Sequence, residues 1–277
     1  MIKEILYQNK KIFYRSIGSG KPVMLVHGFG EDGNVWANQI EVLKNNFHLI
    51  IPDLPGSGKS EMINDMSMEG MAEVIKAIYD SEISHSPPSG GWGAVIGHSM
   101  GGYITLALVE KYWNHVNAFG LFHSTAFPDT EEKKAVRKKG IEFVKEHGAF
   151  EFLKTTTPNL FSPNFKSEFI GFIDQFIDNL PHFSSGAIIA YYNAMLQRPD
   201  RTHILKNTKS PVLFIAGEHD NAVPLNDILK QCHLPGKSYF HVLKKSGHMG
   251  MLEQPTDTAQ ILEEFLLEIE NEDSQLK

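Results

Sequence analysis

The sequence predicts an α/β fold: a mostly parallel central sheet with helices on both faces and a helical cap inserted between two strands. Three observations predict it. Short apolar runs alternate with segments of helical spacing through most of the chain. The alternation stops between about residues 128 and 203, where helical patterns follow one another without a strand, and then resumes. The 277 residues, 42% hydrophobic and 21% charged, have the composition of a globular chain with enough apolar side chains for a large core. The expected division is a core of residues 1–127 and 204–277 and a cap of residues 128–203.

Residues 4–16 alternate about "NKK", the pattern of a hairpin. Residues 22–27 and "HLIIPD" (48–53) read as strands. "SMEGMAEVIKAIYDSEI" has helical spacing, with Ser67 at its N-cap. "GWGAVIGH" (91–98) is an apolar strand, "MGGYITLALVEKYW" a helix leaving it directly, and "VNAFGLFHS" (116–124) the next strand. In the cap, "DTEEKKAVRKKGIEFVKEHG" has acids early and bases late, as the helix dipole favours. "SEFIGFIDQFIDNL" and "SSGAIIAYYNAMLQR" are further helices. The core resumes with the strand "SPVLFIAG" (210–217), the helix "PLNDILKQC", the strand "SYFHVLKKS" (238–246) and the helix "TDTAQILEEFLLEIE". The acidic tail "ENEDSQLK" reads as frayed.

Two glycine-rich stretches raise the question of a nucleotide. "VMLVHGFGEDG" (23–33) runs from an apolar strand into Gly28-x-Gly30-x-x-Gly33, and Asp53 follows about twenty residues later, as in a dinucleotide fingerprint. "GSGKS" (56–60) looks like the end of a phosphate loop. The phosphate loop, however, needs a glycine where Asp53 stands. The dinucleotide reading explains residues 23–53 and leaves a second constellation to coincidence.

That constellation begins with "GHSMGG" (97–102), which places Gly97-x-Ser99-x-Gly101 between an apolar strand and a helix, the context a nucleophile elbow requires. Taken alone, G-x-S-x-G also fits a plain strand–helix turn with a capping serine. A nucleophilic serine needs a base, and the base an orienting acid. "AGEHD" puts Asp220 in the loop after one strand, and "KSGHMGMLEQP" puts His248 in the loop after the last. In a parallel sheet those loops lie on the elbow's edge.

With "VHGFG", "DLPGSGKS", "GHSMGG", "GEHD" and "SGHM" in this order, nearly the whole chain resembles the α/β-hydrolase family. The resemblance implies that Ser99 is the nucleophile, Asp220 the acid and His248 the base. The backbone N–H groups of Phe29 and Met100 would form the oxyanion hole. Gly28, Gly97 and Gly101 would let the backbone approach closely. His27 would pack behind the oxyanion loop, and His98 would help hold the elbow. Ser57 stands where relatives often have histidine.

The implied reaction is hydrolysis of a carboxylic ester or related acyl substrate through an acyl-enzyme, without metal or organic cofactor. Relatives with this triad also cleave carbon–carbon bonds, thioesters, lactones and amides, or form peracids. A non-catalytic binding or receptor protein on the same fold is the alternative of another class. The expected partner is a small acyl substrate with an apolar group. Nine cap phenylalanines, among them Phe152, Phe161 and Phe165, supply the cap core and an apolar roof.

A net charge of −7 with scattered Lys and Arg argues against nucleic acid, and the failed motif argues against nucleotide. No His or Cys cluster has zinc-ligand spacing. The one cysteine, Cys232, excludes an intramolecular disulfide and fits a reducing compartment. With no apolar signal core near Met1 and no apolar run long enough to span a bilayer, the reading is a soluble, cytoplasmic protein. Asp129 is the reserve acid, otherwise a helix-start residue. His123 and Ser124 are read as polar groups at a strand end, with lining of the cleft as the alternative, and Arg137, Arg198 and Arg201 as solvated surface residues, with a substrate carboxylate as the alternative partner.

Overall fold

The computed structural model describes residues 1–83 and 93–275. Its strands are β1 (Ile2–Tyr7), β2 (Lys10–Ile17), β3 (Lys21–Val26), β4 (Phe47–Pro52), β5 (Ala94–His98), β6 (Ala118–Phe122), β7 (Val212–Gly217) and β8 (Ser238–Leu243). They form a single sheet in the order β1-β2-β4-β3-β5-β6-β7-β8. β1 and β2 pair antiparallel, as do β2 and β4, and every pair from β4 onward is parallel. The carboxyl ends of β3, β5, β6, β7 and β8 therefore open on one edge, where parallel sheets of this kind hold their ligands.

Eleven α-helices accompany the strands among the described residues: α1 (Ala37–Leu43), α2 (Met68–Ile83), α3 (Met100–Tyr112), α4 (Glu131–Thr156), α5 (Pro163–Glu168), α6 (Phe172–Asp178), α7 (Ser185–Gln197), α8 (Thr202–Asn207), α9 (Leu225–Leu229), α10 (Gly250–Glu253) and α11 (Pro255–Gln275). Alternation along β3 divides the core. Met24 and Val26 pack with α2 and α3 on one face, and Val23 and Leu25 with α1 and α11 on the other. Both faces of the central strands are buried, which explains their continuous apolar runs.

Helices α4 to α8 fill the chain between β6 and β7 without a strand. Their apolar side chains do not form one separate core. Val144, Phe152, Leu153 and Ile188 cluster together. Tyr191, Ala194, Met195 and Leu205 join the α2/α3 face, while Phe161 and Phe165 join the α1/α11 face. The expectation that these phenylalanines make a cap core therefore holds for only some of them. Phe150 and Phe169 are exposed.

Several boundaries differ from the sequence reading, each for a local reason. The first hairpin turns at Gln8–Asn9, both at positive φ (50° and 63°), a two-residue turn whose twist suits a hairpin. "SEFIGFIDQFIDNL" is two short helices because Gly171 is left-handed (φ 84°). α4 has non-helical backbone at Gly148 (φ 86°). Ser67 caps α2 through Gly70 N, but Thr130 rather than Asp129 caps α4, accepting from Lys133 N. α9 stops at Leu229, leaving Cys232 in the turn beyond it. The acidic tail is helical as far as Gln275, in keeping with glutamate's good helix propensity. Residues 91 and 92, read as the start of β5, lie outside the described residues.

Candidate active site

β5 ends at His98 and α3 begins at Met100, so the chain reverses in one residue, Ser99, at φ 50° and ψ −115°. Such a conformation is costly for a non-glycine residue and persists only when its surroundings hold it. Ser99 N donates to Phe122 O (2.9 Å), and Ser124 Oγ donates to Ser99 O (2.7 Å). The flanking glycines are obligatory. A Cβ on Gly97 would lie 2.3 Å from Gly101 O, and one on Gly101 would lie 2.5 Å from Val26 O.

Ser99 Oγ donates to His248 Nε2 at 2.8 Å, and His248 Nδ1–H donates to Asp220 Oδ2 at 2.8 Å. Three residues from loops after β5, β8 and β7 thus form one hydrogen-bonded chain. Ser99 is half-buried, while His248 and Asp220 are buried. Asp220 Oδ1 accepts from Ala222 N and Val223 N, both at 2.8 Å. Its Oδ2 accepts a second bond, from His123 Nδ1 at 3.0 Å. Burial alone would raise the pKa of this carboxyl. The charge on His248 and the donors from both histidines outweigh burial and hold it far below the usual carboxylate range.

His123 and Ser124 are therefore not bland strand-end groups. Both are fully buried; one binds Asp220 and the other braces the elbow. His123 itself sits at φ 48°. The sequence has no cluster of zinc spacing, yet the fold brings ligand atoms of His123, Asp220 and His248 within 4.8 Å of one another. Both ring nitrogens address one carboxylate oxygen, the arrangement of two N–H donors on a shared acceptor.

The loop after β3 is built from buried polar groups. Leu54 N donates to His27 Nε2 (2.9 Å), which fixes the ring proton on Nδ1, where it meets Gly28 O (2.8 Å). Burial pushes the His27 pKa down against the pull of Glu31. Glu31 is the residue sequence reasoning missed here. Its Oε2 accepts from Gly28 N (2.8 Å) and faces His98 Nδ1 (3.1 Å). His98 Nε2 faces His248 O (2.9 Å), an acceptor only. Both ring nitrogens of His98 thus meet acceptors, the pattern of an imidazolium paired with a carboxylate. Burial opposes that charge, but Glu31 raises the His98 pKa above its ordinary value, and His98 in turn draws Glu31 down. His98 thereby holds the backbone that carries His248.

A second missed carboxylate, Glu253, organises that backbone. Its Oε1 accepts from Gly247 N (2.8 Å) and Met249 N (3.2 Å), and its Oε2 from Ser162 N (2.8 Å). It was visible in "SGHMGMLEQP", five residues after His248, but carried no local motif.

Phe29, in the loop after β3, and Met100, directly after Ser99, are the residues whose N–H groups were expected to be the oxyanion donors. Met100 opens α3, so its N–H is one of the first helical amides, which lack an intrahelical acceptor. The Phe29 ring stacks on Tyr192 (centroids 4.7 Å apart, 5° between planes) and meets Phe152 edge-on. A Cβ on Gly30 would lie 2.7 Å from Leu153 Cδ2, so this loop packs directly against α4.

The turn that only looks like the end of a phosphate loop is occupied by the protein's own anion, as Asp53 at the place of the missing glycine foretold. Asp53 Oδ1 accepts from Gly33 N (3.1 Å) and from Arg15 (2.8 Å), and a Cβ on Gly58 would lie 2.4 Å from Asp53 Oδ2. Ser57 Oγ donates to Glu31 O, joining this turn to the loop after β3.

Of the three arginines read as solvated, Arg137 is half-buried and the other two are not solvated. Arg198 and Arg201 are buried. Arg198 pairs with Asp129 (2.9 Å) and lies over the Tyr103 ring, while Arg201 pairs with Glu110 (2.9 Å) and Glu69. Arg137 also donates to Asp129. Asp129, the reserve acid, is thus the counter-ion of two guanidinium groups. Asp129→Asn would leave those charges sharing a neutral amide, a loss of about 2–3 kcal/mol, at or below the lower limit for breaking a fully buried pair because Arg137 reaches solvent. At roughly 2–4 °C per kcal/mol for a chain of this size, the thermal midpoint falls by about 4–12 °C. Circular dichroism melting checks this, and an unchanged midpoint would show that the pairs contribute nothing to stability.

Residues 23–261 match the model of the alpha/beta hydrolase family, and the chain belongs to that family. It is a hydrolase. It is 25% identical to 2-hydroxy-6-oxo-6-(2'-aminophenyl)hexa-2,4-dienoic acid hydrolase of Metapseudomonas resinovorans, over 91% of this chain and 86% of the relative. It is 26% identical to pimeloyl-[acyl-carrier protein] methyl ester esterase of Methylococcus capsulatus, over 92% and 98%. Its structure superposes on that of a thermophilic esterase from Thermogutta terrifontis with a TM-score of 0.86 at 28% identity, covering 97% of this chain and 99% of the esterase. No helix among the described residues is long and apolar enough to cross a membrane.

Proposed function

We propose that the protein cleaves a carboxylic ester with Ser99 as nucleophile, His248 as base and Asp220 as orienting acid. The hydrogen-bonded chain from Ser99 Oγ through His248 to Asp220, 2.8 Å at each step, carries this reading. As Oγ attacks the ester carbonyl carbon, its proton passes to His248 Nε2. The carbonyl oxygen becomes an oxyanion between the N–H groups of Phe29 and Met100. The intermediate collapses, the C–O bond to the alcohol breaks, and His248 returns the proton to the leaving oxygen. Water then attacks the acyl-enzyme, gives its proton to His248 and releases the acid, with Ser99 regaining the proton. The buried anion of Asp220 stabilises the transient imidazolium. No metal or organic cofactor enters this sequence.

The segment 128–203 acts as a helical cap in this reading, with residues 1–127 and 204–277 as the core. The aromatic set Phe29, Phe152 and Tyr192 supports a substrate with an apolar acyl or aryl group. Ester cleavage is favoured by the esterase from Thermogutta terrifontis. The hydrolase from Metapseudomonas resinovorans supports a second reading, cleavage of a carbon–carbon bond beside a ketone with the same three residues. The single free cysteine supports a cytoplasmic location.

A fluorophosphonate probe followed by peptide mass spectrometry tests the nucleophile, and a panel of p-nitrophenyl esters of increasing chain length tests the substrate class. The expected result is label on Ser99 alone and turnover of several esters. Label at another residue, or a folded protein that binds esters without turning them over, would replace this reading with another nucleophile or with a binding role.

A further inference from the structure

Asp220 has more donors than a triad acid needs. Its Oδ1 takes two backbone N–H groups, which already fix the plane of the carboxylate. Its Oδ2, the atom that faces His248, takes another hydrogen bond from His123 Nδ1. His123 is an expensive residue to keep there. It is fully buried, it sits at φ 48°, and its Nε2 has no hydrogen-bond partner among the described residues. Its ring is boxed by two glycines: a Cβ on Gly250 would lie 2.4 Å from Nε2, and one on Gly217 would lie 2.9 Å from Cε1. A side chain needed only to fill space would be apolar, since it would leave no buried nitrogen unpaired.

We infer that His123 is a positioning residue for Asp220: its Nδ1–H shares the oxygen that serves His248 and limits how strongly that oxygen attracts a proton onto the base. The inference rests on the reading of Asp220 and His248 as acid and base. With Nδ1–H spent on Asp220, the ring is neutral and Nε2 is a bare lone pair. Burial keeps it so, pushing the His123 pKa down to about 4 against the pull of Asp220.

The groups that set the protonation of His248 come from every element around it. Asp220, after β7, favours the imidazolium. His98, at the end of β5 and 5.0 Å away between ring centroids, opposes it when charged by Glu31. Glu253, on α10, lies behind the same loop and is taken up by its backbone amides. His123, at the end of β6 and 5.6 Å away, acts through Asp220 by occupying part of its acceptor capacity. A carboxylate relieved of one donor becomes the stronger acceptor for the next. Losing the His123 N–H should therefore hold the proton on His248 to higher pH, where the enzyme is inactive.

Two variants separate the hydrogen bond from the space it fills. His123→Phe keeps an aromatic ring and removes the N–H. His123→Asn keeps an N–H on the atom bonded to Cγ, and asparagine tolerates positive φ. For His123→Phe, the acidic limb of the kcat/KM profile should move up by about half a pH unit or more, with kcat at neutral pH down about tenfold and KM little changed. His123→Asn should return the limb to its wild-type position and restore most of kcat. Equal limbs in wild type and both variants overturn the inference, as does a Phe limb displaced to lower pH.

Wild-type protein labelled with ¹⁵N-histidine gives a reading that needs no variant to fold. His123 should appear as the neutral Nδ1–H tautomer from about pH 5 to about pH 8. A titrating His123, or an Nε2–H tautomer, overturns the inference. Asp220→Asn run in parallel distinguishes the failures. If it keeps wild-type kcat, the acid assignment is wrong and this inference falls with it. If it collapses while the His123 limbs coincide, the triad reading stands and only this inference is lost.

Discussion

Ser99→Ala lowers kcat by about 10⁶, the loss seen when the nucleophile of a serine triad is removed. The size follows from the chemistry. Without Oγ there is no acyl-enzyme, and only the oxyanion donors and substrate binding still act on direct attack by water. The structure keeps the change local, because Oγ has His248 Nε2 as its partner and the conformation of the turn is held through Ser99 N, Ser99 O and the flanking glycines. The melting curve should therefore stay close to that of wild type while fluorophosphonate labelling disappears. A variant that keeps more than about a thousandth of wild-type kcat would place the nucleophile elsewhere.

Asp220→Asn lowers kcat by about 10⁴, because an acid that fixes the base's tautomer is replaced by a group that cannot. Asp220 is more constrained than an acid with one partner. All four acceptor positions used on Asp220 face N–H donors. An asparagine has one oxygen and one NH₂, so either orientation sets a donor against two donors. If the NH₂ faces His248 and His123, both rings must change tautomer or turn. If it faces Ala222 and Val223, the turn after β7 loses both its bonds. Stability should therefore fall as well, by about 1–3 kcal/mol for the donors left unpaired. Steady-state kinetics beside a denaturant melt separates the two losses. If kcat stays near the wild-type value, Asp220 is not the acid.

The strands and the mostly parallel class of the sheet were legible because buried strands are short apolar runs that alternate with helices. The elbow and its flanking glycines were legible because that geometry is written within six consecutive residues. What stayed hidden is what depends on loops meeting from distant parts of the chain. Glu31 lies inside the quoted stretch "VHGFGEDG", yet nothing local says that it will face His98, 67 residues away. His123 ends a strand, and its partner Asp220 is 97 residues on. The signal available was a histidine at or directly after three strand ends, at 27, 98 and 123. Arg198 and Arg201 were misread because a charged residue is surface by default, and only tertiary contact supplies the counter-ions that let it be buried. Helix α1 was missed because "NQIEVL" is too short for periodicity to speak.

His248 is suspended from two parts of the chain at once. His248 N donates to Leu160 O at 2.6 Å, and Glu253 grips Ser162 N with one oxygen and the amides beside His248 with the other. Leu160 and Ser162 belong to the stretch between α4 and α5, so the helices between β6 and β7 supply part of the mounting for His248. For protein engineering this makes the insertion a poor interchangeable module. A chimaera that borrows these helices from a relative to change the substrate would move the imidazole with them unless the backbone at residues 160–162 keeps its path. The graft junctions belong on either side of that stretch, near Gly148 and Gly171, where the backbone is already non-helical and a Cβ would meet nothing within 4 Å.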